Sequence, residues 1–228
     1  MLIEQVPRWF RALFPASVIW RLPRKEKTVY LTFDDGPIPE VTPFVLNLLE
    51  EYGIKATFFC VGDNVRKYPE VFEQIKVAGH QVGNHTFNHL QGFKYSTIKY
   101  TKNVEKADKY IKSPLFRPPH GQFHFFQLLM LVRKYKIVMW DVITRDYNGE
   151  LSGEFVLNIV KEYTRNGSII VFHDSLKAEK NMKYALPKAI EFLIEEGYKF
   201  DVLKSQLIDK KIKFPTFCVR EVLSRRAI

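Results

Sequence analysis

The sequence predicts an α/β fold built on a largely parallel sheet. Strand-like apolar runs alternate with amphipathic helical stretches, no composition break divides them, and polar clusters recur just after the strand-like runs. Six or seven such units favour a closed or nearly closed barrel over two domains, with the polar clusters meeting at one mouth beyond the C-terminal ends of the strands.

Each element follows from its residues. Thr28-Val29-Tyr30-Leu31 is β-branched and aromatic, the composition of a packed strand, and Gly36-Pro37 turns the chain after it. Glu40 to Tyr52 carries Val41, Phe44, Val45, Leu48 and Leu49 at helical spacing and is closed by Gly53. Lys55 to Val61 reads as a buried strand, Pro69 to Ala78 as a helix ending at Gly79, and Gln81-Val82-Gly83-Asn84 as a short strand. Ser96 to Ile111 is a longer, charged helix, Leu115-Phe116-Arg117 a strand end before Pro118, and Phe123 to Tyr135 is helical. Lys136 to Asp141 is a strand and Gly153 to Tyr163 a helix. Ser168 to Phe172 is a buried strand, Met182 to Glu196 a helix stopped by Gly197, and Tyr198 to Leu203 a last strand.

The 228 residues, 46% hydrophobic and 26% charged, suffice for one large domain with a well-buried core. The formal net charge of +10 is concentrated at the ends: residues 1–27 carry +4 and residues 204–228 carry +5, leaving +1 for residues 28–203. The expected organisation is a basic, aromatic N-terminal segment (1–27) packed on a barrel (28–203), followed by a basic C-terminal extension (204–228). The charged ends suit an anionic surface such as the cell envelope, and the chain is compatible with an oligomer. Nucleic acid is not an expected partner, because no finger, helix-turn-helix or aromatic-basic repeat organises the charge. Cys60 and Cys218 are distant and lack C-x-x-C spacing, which argues against a thiolate metal site and a disulfide scaffold. No apolar run reaches bilayer-spanning length. Arg8, Arg11, Pro7 and Pro15 interrupt the N-terminal apolar residues, a poor secretory signal, so the expected location is cytoplasmic or peripheral to the envelope.

The chemistry gathers in the polar clusters. Asp34 and Asp35 stand together at a strand end; alternation sends neighbouring side chains to opposite faces, so one can bind a cation while the other moves a proton. Taken alone the pair is a solvated turn. His85 and His89, four residues apart, can project from one face of a helical turn, and with a carboxylate from another loop they form a ligand set for zinc or a similar divalent ion. In Arg117-Pro118-Pro119-His120-Gly121 the prolines have no N–H, so the first backbone donor after Arg117 belongs to His120 and can bind an oxyanion. Arg117 is the natural partner of a carboxylate at the mouth. The His120 ring can touch substrate or metal, but a packed ring is the simpler expectation. His173, where an apolar strand meets the mouth, can protonate a leaving group if a carboxylate holds its other nitrogen. Asp146 is the candidate partner, whereas Asp174 can equally cap a turn.

These stretches resemble the polysaccharide deacetylases, carbohydrate esterase family 4, also known for the NodB-homology domain. The resemblance runs from Thr32-Phe33-Asp34-Asp35-Gly36 through His85-Thr86-Phe87-Asn88-His89, Arg117-Pro118-Pro119-His120-Gly121 and Trp140 to Tyr147, to Val171-Phe172-His173. It implies a deformed (β/α) barrel of about seven largely parallel strands. It also implies Asp34 as general base and Asp35, His85 and His89 as ligands of one divalent ion, zinc foremost, with Co2+ and Ni2+ also compatible. Arg117 would orient Asp34, His173 would be the general acid and Asp146 would tune it. Trp140, Tyr147 and His120 would touch substrate or its oxyanion. The implied reaction is hydrolysis of an N-acetyl group on an amino sugar of peptidoglycan or a chitin-like glycan, an N-acetylated polysaccharide substrate.

The chain departs from the family pattern in three places. Ile143 stands where an Asp is usual, Tyr147 where a Trp is usual, and His120 where an aromatic such as Tyr is usual. The expectation is an active enzyme with altered substrate preference; the alternatives are a metal-holding glycan-binding homologue with weak turnover, or a phosphoesterase. A single Arg and the lack of a second ligand set count against the last.

Overall fold

The computed structural model of the protein describes residues 4–15, 17–22 and 26–204. The β-branched and aromatic runs become short, fully buried strands, as expected of a parallel sheet covered by helices on its outer side. In chain order the elements are α1 (Arg8–Arg11), β1 (Val18–Ile19), β2 (Thr28–Asp34), α2 (Thr42–Glu51), β3 (Thr57–Cys60), α3 (Gly62–Lys67), α4 (Pro69–Val77) and β4 (Gln81–Asn84). There follow α5 (Thr97–Ile111), β5 (Leu115–Phe116), α6 (Phe125–Leu131), β6 (Lys136–Val138), β7 (Val142–Ile143), α7 (Gly153–Tyr163), β8 (Ile169–His173), α8 (Glu179–Glu195) and β9 (Lys199–Phe200). The sheet order is β1-β6-β5-β4-β3-β2-β8-β7, every pair parallel, with β9 added to the start of β2.

This is the deformed barrel that the sequence implies. Its circle is open between β6 and β7; the strand that the sequence reads from Lys136 to Asp141 ends at Val138 as β6, and β7 (Val142–Ile143) lies just beyond it. The run breaks at Met139-Trp140-Asp141 because its amides bond outward: Met139 N–H donates to Ile19 O at 2.7 Å and Asp141 N–H to Ile169 O at 3.0 Å. The N-terminal residues occupy the gap. β1 pairs with β6, Gln5 bridges Val142, and Arg21 bridges Ser168. Buried Asp141 accepts from Arg11, from Arg165 at 2.8 and 2.9 Å, and from Ser168 at 2.8 Å, so the seam is held by ionic hydrogen bonds. The extension beyond Lys204, with Cys218, lies outside the described residues; Cys60 is buried as a free thiol.

The helices cover the sheet with one apolar stripe each. In α8, Met182, Ala185, Leu186, Ala189, Ile190 and Leu193 repeat at helical spacing and are wholly buried. Burial of each large one contributes about 1.5–3 kcal/mol, which fixes the helix against α7 and β8. Phe33, Phe58 and Phe172 stack across three adjacent strands, with centroids 5.0 and 6.3 Å apart. That rigid layer holds the strand ends at which the polar clusters begin.

Candidate active site

β2 and β8 pair in register, placing Asp34 opposite His173 at the same end of the sheet. Asp34 is buried and accepts a hydrogen bond from Arg117 Nη1 at 2.6 Å. The guanidinium is itself fully buried: it also donates to Thr32 Oγ1, Val138 O and Met139 O, and stacks over the Phe59 ring at 4.1 Å. Four of its five N–H donors thus find acceptors locally, which fixes the guanidinium against Asp34.

Asp35 corrects the expectation that the two carboxylates face apart. Its φ of 86° is left-handed, so alternation ends at Asp34 and both side chains line one cleft. Their surroundings still differ: Asp35 meets imidazoles, not a guanidinium. Its Oδ1 lies 3.1 Å from His89 Nε2 and 3.7 Å from His85 Nε2, and is buried without a hydrogen bond among the described residues. Burial alone would raise the Asp35 pKa, but His89 and the nearby His173 and His85 hold it below the usual carboxylate range.

The two histidines converge without a helix. Thr86 and His89 are left-handed, at φ 64° and 52°, and the ring centroids lie 5.1 Å apart. Asn103 on α5 ties the turn by accepting from Phe87 N–H and Asn88 N–H. The Nδ1 of His85 lies 2.8 Å from Arg117 O, a contact that places the proton there and leaves the Nε2 lone pair facing Asp35. Burial lowers the His85 pKa to about 4, keeping the ring neutral. One oxygen and two nitrogens, all within 4.8 Å of one another, with the oxygen otherwise unpartnered, fit a single divalent cation of zinc type.

His173 sits across the cleft. Its Nδ1 is 2.7 Å from Asp146 Oδ1, and its N–H donates to Asp146 Oδ2 at 2.8 Å. Burial opposes its charge, but the Asp146 carboxylate outweighs this, with Asp35 and Asp34 assisting, and lifts its pKa to about 9. The ring therefore carries a proton at neutral pH and can give it up.

Residues 21–135 match the polysaccharide deacetylase family. A peptidoglycan-N-acetylglucosamine deacetylase of Bacillus cereus is 34% identical over 203 residues, covering 85% of this chain and 94% of that protein. This chain belongs to the polysaccharide deacetylase family. Among solved structures, a peptidoglycan N-acetylglucosamine deacetylase in complex with a naphthalenyl N-oxidanyl-benzamide superposes with a TM-score of 0.81 at 30% identity, covering 91% of this chain and all of that one (100%). A family 4 pseudoenzyme of Bacillus anthracis superposes with a TM-score of 0.74 at 26% identity, covering 86% of this chain and 70% of that one.

In this polysaccharide deacetylase family member, the cleft encloses about 400 Å3 and is walled by Trp140, Tyr147, His120 and Ile143. The Tyr147 ring meets His173 edge-on at 4.8 Å. Trp140 packs so closely on Gly121 that a Cβ there would lie 2.6 Å from the indole. The His120 ring is exposed in the cleft, 4.8 Å from the His89 ring, and is not the packed ring expected of it. Its φ of 56° turns it out of the polyproline run.

Two further residues support the site: Asp174, in the turn-capping role that its sequence position allows, and Asn181, which the sequence does not single out. Asp174 caps the Asp34-Asp35 turn: it accepts from Gly36 N–H at 3.0 Å and Thr42 Oγ1 at 2.6 Å, and its own N–H donates to Asp34 O. Burial raises its pKa to about 8. The buried Asn181 Nδ2 lies within hydrogen-bonding distance of Asp146 O, Asn148 O and Leu151 O, bracing the loop that carries Asp146. The only sequence signal for Asp174 is its place beside His173, and for Asn181 there is none. No helix among the described residues is long and apolar enough to cross a membrane.

Proposed function

We propose that the protein is a metal-dependent hydrolase that removes N-acetyl groups from amino sugars of a polysaccharide, peptidoglycan or a chitin-like glycan. The reading rests on one observation above all. A carboxylate clamped by a buried arginine and a protonated imidazole clamped by a buried carboxylate stand opposite each other in register, with the Asp35, His85 and His89 ligand set beside them.

Asp35, His85 and His89 would hold a divalent cation, which would supply Lewis acidity toward the acetyl carbonyl and toward water. Asp34 takes the proton of the water whose oxygen adds to the acetyl carbon, and Arg117 holds that carboxylate in place. The His120 N–H is the donor available to the developing oxyanion. His173 protonates the amide nitrogen as the C–N bond breaks, and Asp146 keeps the imidazole oriented and charged. Acetate and a free amino sugar leave. Trp140 and Tyr147 form apolar walls suited to a sugar ring, and Tyr147 keeps water from one side of His173.

The pseudoenzyme relative favours a second reading, a homologue that holds metal and glycan with little turnover. Acetate release from N-acetylglucosamine oligomers and from peptidoglycan, measured beside metal analysis of the purified protein, separates the two. The expected result is one bound divalent ion, activity abolished by chelation and restored by Zn2+ or Co2+, and loss of at least about a hundredfold in Asp34→Asn with metal retained. Metal-loaded protein that releases no acetate from any of these glycans refutes the enzyme; an unchanged rate in Asp34→Asn refutes the base.

A further inference from the structure

We propose that this protein docks on an anionic lipid surface through the side of the barrel built from α1, the loop after β4 and α6. The inference does not depend on the catalytic reading.

That side exposes large apolar residues that an isolated globular surface has no use for. Trp9 is 70% exposed, Leu13 63%, Phe93 59%, Phe126 64% and Met130 49%. On α6, Phe126 and Met130 stand one helical turn apart on the outer face, while Gln127, Leu128 and Leu131 are buried beneath. The patch is continuous. Ring contacts run from Trp9 to Phe10, Phe14 and Phe123 at centroid distances of 5.9, 5.3 and 5.8 Å, and His124, next to Phe123, packs on Phe93 at 5.3 Å. Exposed apolar surface of this extent marks an interaction site.

Charge identifies the occupant. Residues 92–136 expose eight Lys and Arg side chains against one exposed acid, Glu105, with Asp108 half-buried. Asp108 is taken by Lys134 at 2.9 Å. Lys94 and Arg133 flank the patch, exposed and without an ion pair among the described residues. A second copy of this face would set cations against cations. A nucleic acid would take the charges but give nothing to Leu13 or Met130. An anionic bilayer surface takes both, with aromatic and aliphatic side chains at the acyl boundary and Lys and Arg among the headgroups. Gln122 and Trp140 line the cleft and Phe123 follows at once, so the docked face runs along the cleft rim.

The test is cosedimentation of the full chain with large unilamellar vesicles, either phosphatidylcholine alone or with roughly a quarter phosphatidylglycerol. Binding is expected with phosphatidylglycerol only, weakening as salt rises. Leu13→Ser/Phe126→Ser/Met130→Ser weakens it at least about tenfold, and Lys94→Glu/Arg133→Glu about fivefold per cation, both with wild-type thermal melting. Absence of binding at low salt, or binding that survives in both variants, overturns the proposal. A dimer dissociated by the apolar variant, or heparin binding matched to vesicle binding and indifferent to that variant, overturns it equally.

Discussion

Asp146→Asn separates the charge of the His173 partner from its shape. The carboxylate is what lifts the His173 pKa from 6.5 to about 9 against burial, a preference for the charged ring of about 3 kcal/mol. Asparagine keeps the volume and one acceptor but not the charge, so the ring returns toward 6.5. A general acid works only when protonated. At pH 8 the protonated fraction falls from about 0.9 to about 0.03, and kcat/KM for acetate release falls about 30-fold, while near pH 6 the two enzymes differ little. The alkaline limb of the pH profile therefore moves acidward by about 2.5 units. Stability follows the same linkage. A raised folded pKa stabilises fully below pH 6.5 and loses its contribution as pH rises through about 9, so the variant melts furthest below wild type at low pH and the gap closes above pH 9. Superimposable alkaline limbs would show that His173 is not the acid, or that Asp146 does not set its charge.

Two further substitutions test the frame around the site. Arg117→Met leaves the Asp34 carboxylate buried without its partner, so urea unfolding should show a loss of about 3–5 kcal/mol, part of which Asp34→Asn recovers in the double variant; independent, additive losses would refute the pairing. Gly36→Ala places a Cβ 2.0 Å from Asp174 Oδ2, a carboxyl already fixed by Thr42 and Gly36, so stability falls by about 1–3 kcal/mol and zinc affinity, read by calorimetric titration, falls with it. Adding Asp174→Ser clears the clash and should recover the melting temperature but not the full zinc affinity.

The sequence carried the parts of this fold that depend on local pattern. Thr28–Asp34, Thr57–Cys60 and Ile169–His173 are strands because β-branched and aromatic residues leave few other packed conformations, and α5 and α7 begin where Ser96 and Ser152 accept from Lys99 N–H and Phe155 N–H. That Asp34, Asp35, His85, His89 and His120 meet at one cleft was legible for the same reason, since Asp-Asp, a His pair and an Arg-Pro-Pro run are short signals. What was not legible depends on partners far along the chain. The brace from Asp174 to Thr42 spans 132 residues, and that from Arg11 to Asp141 spans 130. Nothing in Lys136 to Asp141 announces that its amides will bond to β1 and β8 and split the run. Helical spacing brought His85 and His89 together for the wrong reason: they meet through two left-handed residues.

Those left-handed residues explain why the frame is so heavily braced. Asp35, Thr86, His89, His120 and Arg145 all have positive φ without being glycine, and all lie in loops that follow strand ends; Lys112, the sixth such residue among those described, merely caps α5. Each costs of order 1 kcal/mol or more, and three of them, Asp35, His89 and His120, present side chains to the cleft. An unsupported loop would relax such a residue to a commoner conformation and turn its side chain away. Here Asp174, next after β8, grips the first loop, Asn103 on α5 the second, and Asn181 on α8 the Asp146 loop. The strain is thus carried by the barrel, which holds the Asp35 carboxylate and the His85 and His89 imidazoles within 4.8 Å of one another.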